Sequence, residues 1–218
     1  MRLYHLTSAN YALSNIALCQ LKIARLDDLN DPFELLAAEL SDREFRKATR
    51  SWKNDFHRRI GLLCFSENWK NPVLWSHYAE KHKGICLGFD VSDEFATSVI
   101  YKKNRVQVHF ENDDSNKDLS IEFVNELLRT KYVHWSYEKE WRMFVSLDEA
   151  TKEKGLYFYP FDKFLKLKEV IVGPLCETPI EQIEKLTSEM KDSIRIIKAR
   201  LGFKRFEVVI DQRYELSR

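Results

Sequence analysis

Short apolar runs rich in β-branched and aromatic residues alternate along this chain with charged segments of helical period. The runs predict strands at Leu3–Leu6, Leu21–Leu26, Ile60–Ser66, Gly84–Val91, Arg105–Phe110, Glu140–Ser146, Gly155–Tyr159, Val170–Val172, Ile194–Ala199 and Glu207–Ile210. Between them, Ser8–Cys19 opens on a Ser cap, Asp42–Arg59 is charged and amphipathic, and Pro72–His82 starts with Pro at a tolerated first-turn position. Each is a predicted helix. Two further helices follow from spacing: Leu119, Phe123 and Leu127 recur at i, i+4, and Ile180, Ile183, Leu186 and Met190 near a 3.6 period. Glu111–Asp118 (ENDDSNKD) reads as a surface loop, and Gly84 as a left-handed helix stop. The mixture predicts an α+β fold. With 6 Gly, 5 Pro, no linker-like stretch and no repeat, residues 1–218 are expected to form a single domain.

Composition narrows the function class. A chain of 218 residues that is 44% hydrophobic has ample material for a core, which excludes disordered, collagen-like and disulfide-stapled classes. The balance of 35 Lys and Arg against 34 Asp and Glu excludes a protein that chiefly coats nucleic acid or an anionic membrane, and leaves room only for a local basic patch. Cys19, Cys64, Cys86 and Cys176 form no C-x-x-C pair, so neither a zinc knuckle nor a redox motif is readable, and all four are expected to be buried, reduced thiols. No secretory leader and no apolar window of the ~18 residues a span requires is present, which predicts a cytoplasmic protein without a membrane partner.

Glycine-rich nucleotide loops, H-E-x-x-H and G-x-S-x-G are all absent, so any chemistry must come from dispersed polar residues. Three segments concentrate them. In the first strand, alternation puts His5 and Thr7 on one face, and Asn30-Asp31-Pro32-Phe33-Glu34 follows as a turn by its chemistry. The second segment holds Cys64-Phe65-Ser66 and a helix bearing Trp75, Ser76, His77 and Tyr78. His77 and His82 are five apart without matching carboxylates, so no metal site is expected. In the third, Trp135 to Val145, a strand reading places Trp141, Met143 and Val145 on the core face and Glu138, Glu140 and Arg142 on the other. Either that face is a solvated edge with an ion pair, or its aromatic neighbours desolvate a carboxylate and raise its proton affinity, as functional acids require. Lys198, Arg200, Lys204 and Arg205 form a basic group read as a solvated hairpin, with contact to nucleic acid as the other reading.

Taken together, the motifs at 30–34, 64–66, 75–79, 82–89 and 137–142 resemble a widespread bacterial family linked with abortive phage infection. The order of elements is also similar to ADP-ribosyltransferases of the His-Tyr-Glu type, although Leu6 stands where the usual Gly follows the His. That second resemblance implies a central mixed or antiparallel split sheet flanked by helices, with NAD as substrate. By it, His5 would hold the adenosine-side ribose, Tyr78 would stack on nicotinamide, and Glu138 or Glu140 would bind the nicotinamide ribose. Thr7, Ser66, Ser76 and Arg142 join His5 and Tyr78 as expected NAD-binding residues, with Ser66 and Ser76 both eligible as the middle-motif Ser.

The implied function is an NAD-consuming transferase of phage defence, acting on a protein or nucleic-acid acceptor and governed by a phage-derived trigger or antitoxin-like partner. Glu140 is the first choice as the essential carboxylate, with Glu138 orienting or deprotonating the acceptor. The alternatives are a metal-independent nuclease using His5, His77 and Glu140, and a non-catalytic sensor or interaction module. An enzyme predicts that His5, Tyr78 and Glu140 meet in one cleft, whereas a binding module leaves both glutamates in open solvent.

Overall fold

A computed structural model describes residues 1–34, 36–107, 121–190 and 193–215. It contains both helices and strands around a mixed sheet, the expected α+β class. The elements in chain order begin β1 (Arg2–Thr7), α1 (Ala9–Ala17), β2 (Gln20–Lys22), α2 (Arg43–Arg59), β3 (Ile60–Ser66), α3 (Pro72–Tyr78), β4 (Ile85–Val91), β5 (Ala96–Ser98) and β6 (Ile100–Lys102). They continue α4 (Ile121–Arg129), β7 (Thr130–Tyr132), a 3-10 helix over Val133–Glu138, β8 (Glu140–Ser146), β9 (Thr151–Glu153), β10 (Leu156–Pro160), β11 (Leu165–Val172), α5 (Ile180–Thr187), β12 (Arg195–Leu201) and β13 (Val208–Ile210).

The main sheet has the order β13-β12-β11-β4-β1-β3-β8-β5. Only β11 and β12 run parallel within it. β1 pairs with β4 along its full length, from Arg2 opposite Asp90 to Thr7 opposite Ile85, and β3 pairs as completely with β8. Between β1 and β3 the register is held at Tyr4 opposite Ser66, so the two halves of the sheet part beyond that point.

Apolar faces close both sides of the sheet. Leu3, Ile23, Leu63, Phe65, Leu87 and Phe89 belong to one buried cluster, and Leu6, Trp69, Leu74, Trp75, Ile171 and Ile197 to another. Burial of these aliphatic and aromatic groups is the main stabilising term, about 1.5–3 kcal/mol for each fully buried side chain. Helix starts follow their caps: the side chains of Ser8, Asp42 and Asn71 accept from Tyr11 N, Phe45 N and Val73 N, each satisfying an otherwise orphaned donor.

Several sequence expectations change. The predicted helix to His82 ends at Tyr78, and the left-handed residues are Glu80, Lys81 and His82 rather than Gly84. Gly84 serves close packing instead, because a Cβ there would lie 2.1 Å from the Thr7 carbonyl oxygen. The strand predicted over Leu21–Leu26 is confined to Gln20–Lys22, with Ala24 in an isolated bridge to Leu62. Cys86 and Cys176 are buried and Cys64 half-buried, but Cys19 is exposed, at φ 50 in the turn after α1. Val106 pairs with Ala38 in an isolated bridge. Arg105 and Gln107 beside it are in no strand, and residues 108–110 of the expected strand, the loop Glu111–Asp118, and Leu119 lie outside the described residues.

Candidate functional site

The parting of β1 from β3 opens a cleft of about 240 Å³. His5, Tyr78, Lys131, Trp135, Glu138 and Glu140 are among its lining residues. They reach it from five elements, β1, α3, β7, the 3-10 helix and β8, with Trp135 and Glu138 both on the 3-10 helix, which is why no single segment of sequence displays the whole site.

His5 stands on β1 where the ladder to β3 lapses, and its ring Nδ1 lies 3.0 Å from the Cys64 carbonyl. A carbonyl only accepts, so Nδ1 is assigned the proton and Nε2 keeps its lone pair. Burial lowers the proton affinity of the ring, and the imidazole is neutral. Phe65 meets it edge to face at 6.1 Å.

On the opposite wall, the strand reading of Trp135 onward holds only from Glu140. Val133–Glu138 is a 3-10 helix, Lys139 takes a left-handed φ of 45° to end it, and β8 follows. Ser66 pins this corner by donating its hydroxyl to the Glu138 carbonyl, and Lys139 O accepts from Glu67 N. Alternation along β8 then buries Glu140 and Arg142 together in the sheet interior, between β3 and β5. The solvated-edge reading of this face is therefore overturned: Glu138 is 4%, Glu140 6% and Arg142 1% exposed.

Two residues absent from the sequence-derived site complete it. Glu34, at the end of the Asp31-Pro32-Phe33 turn, places both carboxylate oxygens 2.8 Å from Arg142 Nη2. Lys131, in the middle of β7, puts its ammonium 2.6 Å from Glu138 Oε2, 2.9 Å from Glu140 Oε2 and 3.3 Å from Glu34 Oε1. It also lies 5.0 Å from the Trp135 ring centroid. Arg142 Nε donates to Glu140 Oε1 at 2.8 Å, and Nη1 to the Leu128 carbonyl at 3.0 Å. Three carboxylates thus face two cations, leaving one excess negative charge when all are ionised.

That imbalance sets the protonation pattern. Burial works against ionising Glu140, but Arg142 and Lys131 outweigh it and hold the carboxyl down at about 2. For Glu138 burial wins: its proton affinity rises above the ordinary value although Lys131 and the Tyr78 hydroxyl oppose the rise. Tyr78, whose OH donates to Glu138 Oε1, is held far on the phenol side by burial and then by that carboxylate. Lys131 stays protonated because Glu140, Glu34 and Glu138 together overcome its desolvation. Adjacent carboxyls with proton affinities pushed apart are the arrangement that acid–base and glycosyl-transfer sites use.

The remaining candidates separate. Ser66 lines the cleft, its hydroxyl engaged with the backbone of the Glu138 corner. Arg142 lies behind Glu140 and is not among the lining residues. Ser76 is exposed, with its Oγ 3.3 Å from His82 Nε2, and neither it nor Thr7 lines the cleft. His77 is also outside, with Nδ1 2.8 Å from the Tyr137 hydroxyl. Lys198 is spent on the Gly173 and Cys176 carbonyls.

The signal for Lys131 was charge arithmetic. Two glutamates sharing a buried face with one arginine call for a second cation, although sequence alone does not say which of the many lysines supplies it.

A family model described as a protein of unknown function (DUF2971) matches residues 74–143. The matched span runs from α3 into β8, and so takes in Tyr78, Lys131, Glu138, Glu140 and Arg142 but not His5 or Glu34. No curated protein and no solved structure matches the chain.

Proposed function

We propose that this chain is an NAD-consuming enzyme of the ADP-ribosyltransferase type that breaks the nicotinamide–ribose bond in the cleft between β1 and β3. The observation that carries the reading is the meeting of neutral His5, Tyr78, Glu138 with its raised proton affinity and ionised Glu140 around one cavity. At about 240 Å³ the cavity suits the nicotinamide-ribose half of the dinucleotide rather than all of it.

The reaction divides the two glutamates. Cleavage sends the C1′–N1 bond pair to nicotinamide, which leaves neutral, while positive charge develops on the ribose ring. Glu140, ionised and locked on Arg142 and Lys131, is the fixed negative charge that stabilises the oxocarbenium. An acceptor X–H then forms the X–C1′ bond and gives its proton to Glu138, the carboxyl with the raised affinity. His5 Nε2 accepts from a ribose hydroxyl, and Tyr78 packs on the leaving ring. A role in phage defence and a phage-derived trigger rest on the five motifs from 30–34 to 137–142. Among the described residues no helix is long and apolar enough to cross a membrane.

The test uses NAD labelled in its adenylate half, with lysates of uninfected and phage-infected cells. Wild type is expected to release nicotinamide and transfer label. Glu140→Gln should slow both by roughly 10²–10³-fold and Glu138→Gln by roughly 10²–10⁴-fold, with circular dichroism showing the variants folded. Neither release nor transfer by wild type in any lysate, even with NAD bound, would overturn the catalytic reading.

A further inference from the structure

On the far side of the charged nest lies a second cleft, of about 270 Å³. It shares Asp31, Glu34 and Lys131 with the first, so the nest is the partition between the two. Its other lining is of a different kind. Lys102, Lys103 and Arg105 follow one another at and beyond the end of β6, and Phe33 and Tyr132 supply aromatic faces.

The cations this second cleft offers a ligand are Lys103 and Arg105. Lys131, which also lines it, is spent on the carboxylates of the nest, and both Glu34 oxygens are taken by Arg142. Lys102 is paired with Glu126, whereas Lys103 has no ion pair among the described residues. Arg105 donates through Nη1 to the Ala38 carbonyl at 3.1 Å, which holds its guanidinium 5.4 Å from the Phe33 ring centroid. Phe33 is 59% exposed and Tyr132 48%. Tyr132 is stacked on His134 at 4.8 Å with an interplanar angle of 21°, a flat aromatic plate at the rim.

We propose that this second cleft binds single-stranded nucleic acid, with bases stacked on Phe33 and Tyr132 and phosphates on Lys103 and Arg105. Aromatic faces set among cations are the arrangement by which proteins hold unpaired strands, because every base has a face to stack and every link a phosphate. An acidic peptide would use the cations and leave both exposed rings unused. A duplex keeps its bases inside and has nothing to insert into a cavity of this size.

Binding is tested without NAD, by fluorescence anisotropy of dye-labelled RNA and DNA hexanucleotides across a range of salt. Lys103→Ala with Arg105→Ala should weaken binding at least tenfold and lower the log–log salt slope by about two. Phe33→Ala and Tyr132→Ala should each weaken it roughly fivefold or more with little change in slope. The control is the hairpin between β12 and β13, where Phe203 and Phe206, 86% and 98% exposed, flank Lys204 and Arg205. Absence of binding by wild type, a loss confined to Lys204→Ala with Arg205→Ala, or equal affinity for a polyglutamate peptide would overturn the assignment. Nicotinamide release into water without a strand reports the NAD reading separately, and is expected to survive in the Lys103/Arg105 variant. Strand binding without any such release keeps the cleft assignment and overturns only the NAD reading.

Discussion

Replacing Lys131 by Met keeps the length and volume of the stem while deleting the charge that three carboxylates share. The side chain is 8% exposed, so the loss is that of a buried ion pair whose partners stay behind. Removing one partner of such a pair costs roughly 3–5 kcal/mol, because the orphaned charge retains its desolvation penalty. Against a total stability of about 5–15 kcal/mol this is severe, and for a chain of this size it lowers the Tm by roughly 6–20 °C. The loss should also depend on pH. Glu138 already binds its proton above the ordinary value of 4.5, and without Lys131 its affinity rises further. A carboxyl raised in the fold favours the folded state fully below 4.5, and that contribution disappears as pH climbs through the folded value. Lys131→Met should therefore be much closer to wild type at about pH 5 than at about pH 8. Adding Glu138→Gln removes the orphaned charge and should recover roughly 1–3 kcal/mol at the higher pH. Thermal unfolding followed by circular dichroism at the two pH values gives all three quantities. A loss below ~1 kcal/mol, equal losses at both pH values, or strict additivity of the two substitutions would refute a desolvated nest.

Acid should unfold the wild type through the other glutamate. Glu140, held down at about 2, contributes stability that is complete above 4.5 and lost as pH falls from there through about 2, so Glu140→Gln should remove that limb from a tryptophan-fluorescence acid titration. Gly84→Ala places a Cβ 2.1 Å from Thr7 O and 2.9 Å from the Ala79 backbone, which should cost at least about 1–3 kcal/mol in urea unfolding. Gly155→Ala meets nothing within 4 Å but must adopt a φ of +84, and should cost only about 1 kcal/mol in the same assay.

What was legible in the sequence follows from how local each signal is. Ile60–Ser66 and Glu140–Ser146 have the limits that the pattern assigns them, because both are apolar or alternating runs and become adjacent central strands. Asp42 caps the helix it announces. By contrast β5, β6, β7 and β9 are three residues each, too short for any period, and owe their existence to the strands beside them. Gly84 misleads because glycine answers two demands, left-handed backbone and close approach. The chain meets the first with Glu80, Lys81 and His82, at a conformational cost, and keeps the glycine for the second. Lys131 was invisible because one lysine in Thr-Lys-Tyr carries no mark of burial. Only the convergence of β7, β8 and the turn at Glu34 removes it from water.

The cost of that convergence bears on its purpose. Well-packed apolar residues commonly replace buried ion pairs at no loss of stability, so a five-membered charged nest beside a cleft is poorly accounted for by folding alone. Its excess of one carboxylate is more specific still. A site that needed only rigidity would pair its charges, whereas an unpaired negative charge under the cavity favours a ligand that arrives positive. The nicotinamide ring of NAD is cationic while bound to ribose and neutral once released, so the same field that draws the substrate in would stabilise the charge as it moves onto the ribose and then release its grip on the departing ring. Glu138, the carboxyl of raised proton affinity, would restore the balance by taking the acceptor proton as that positive charge disappears.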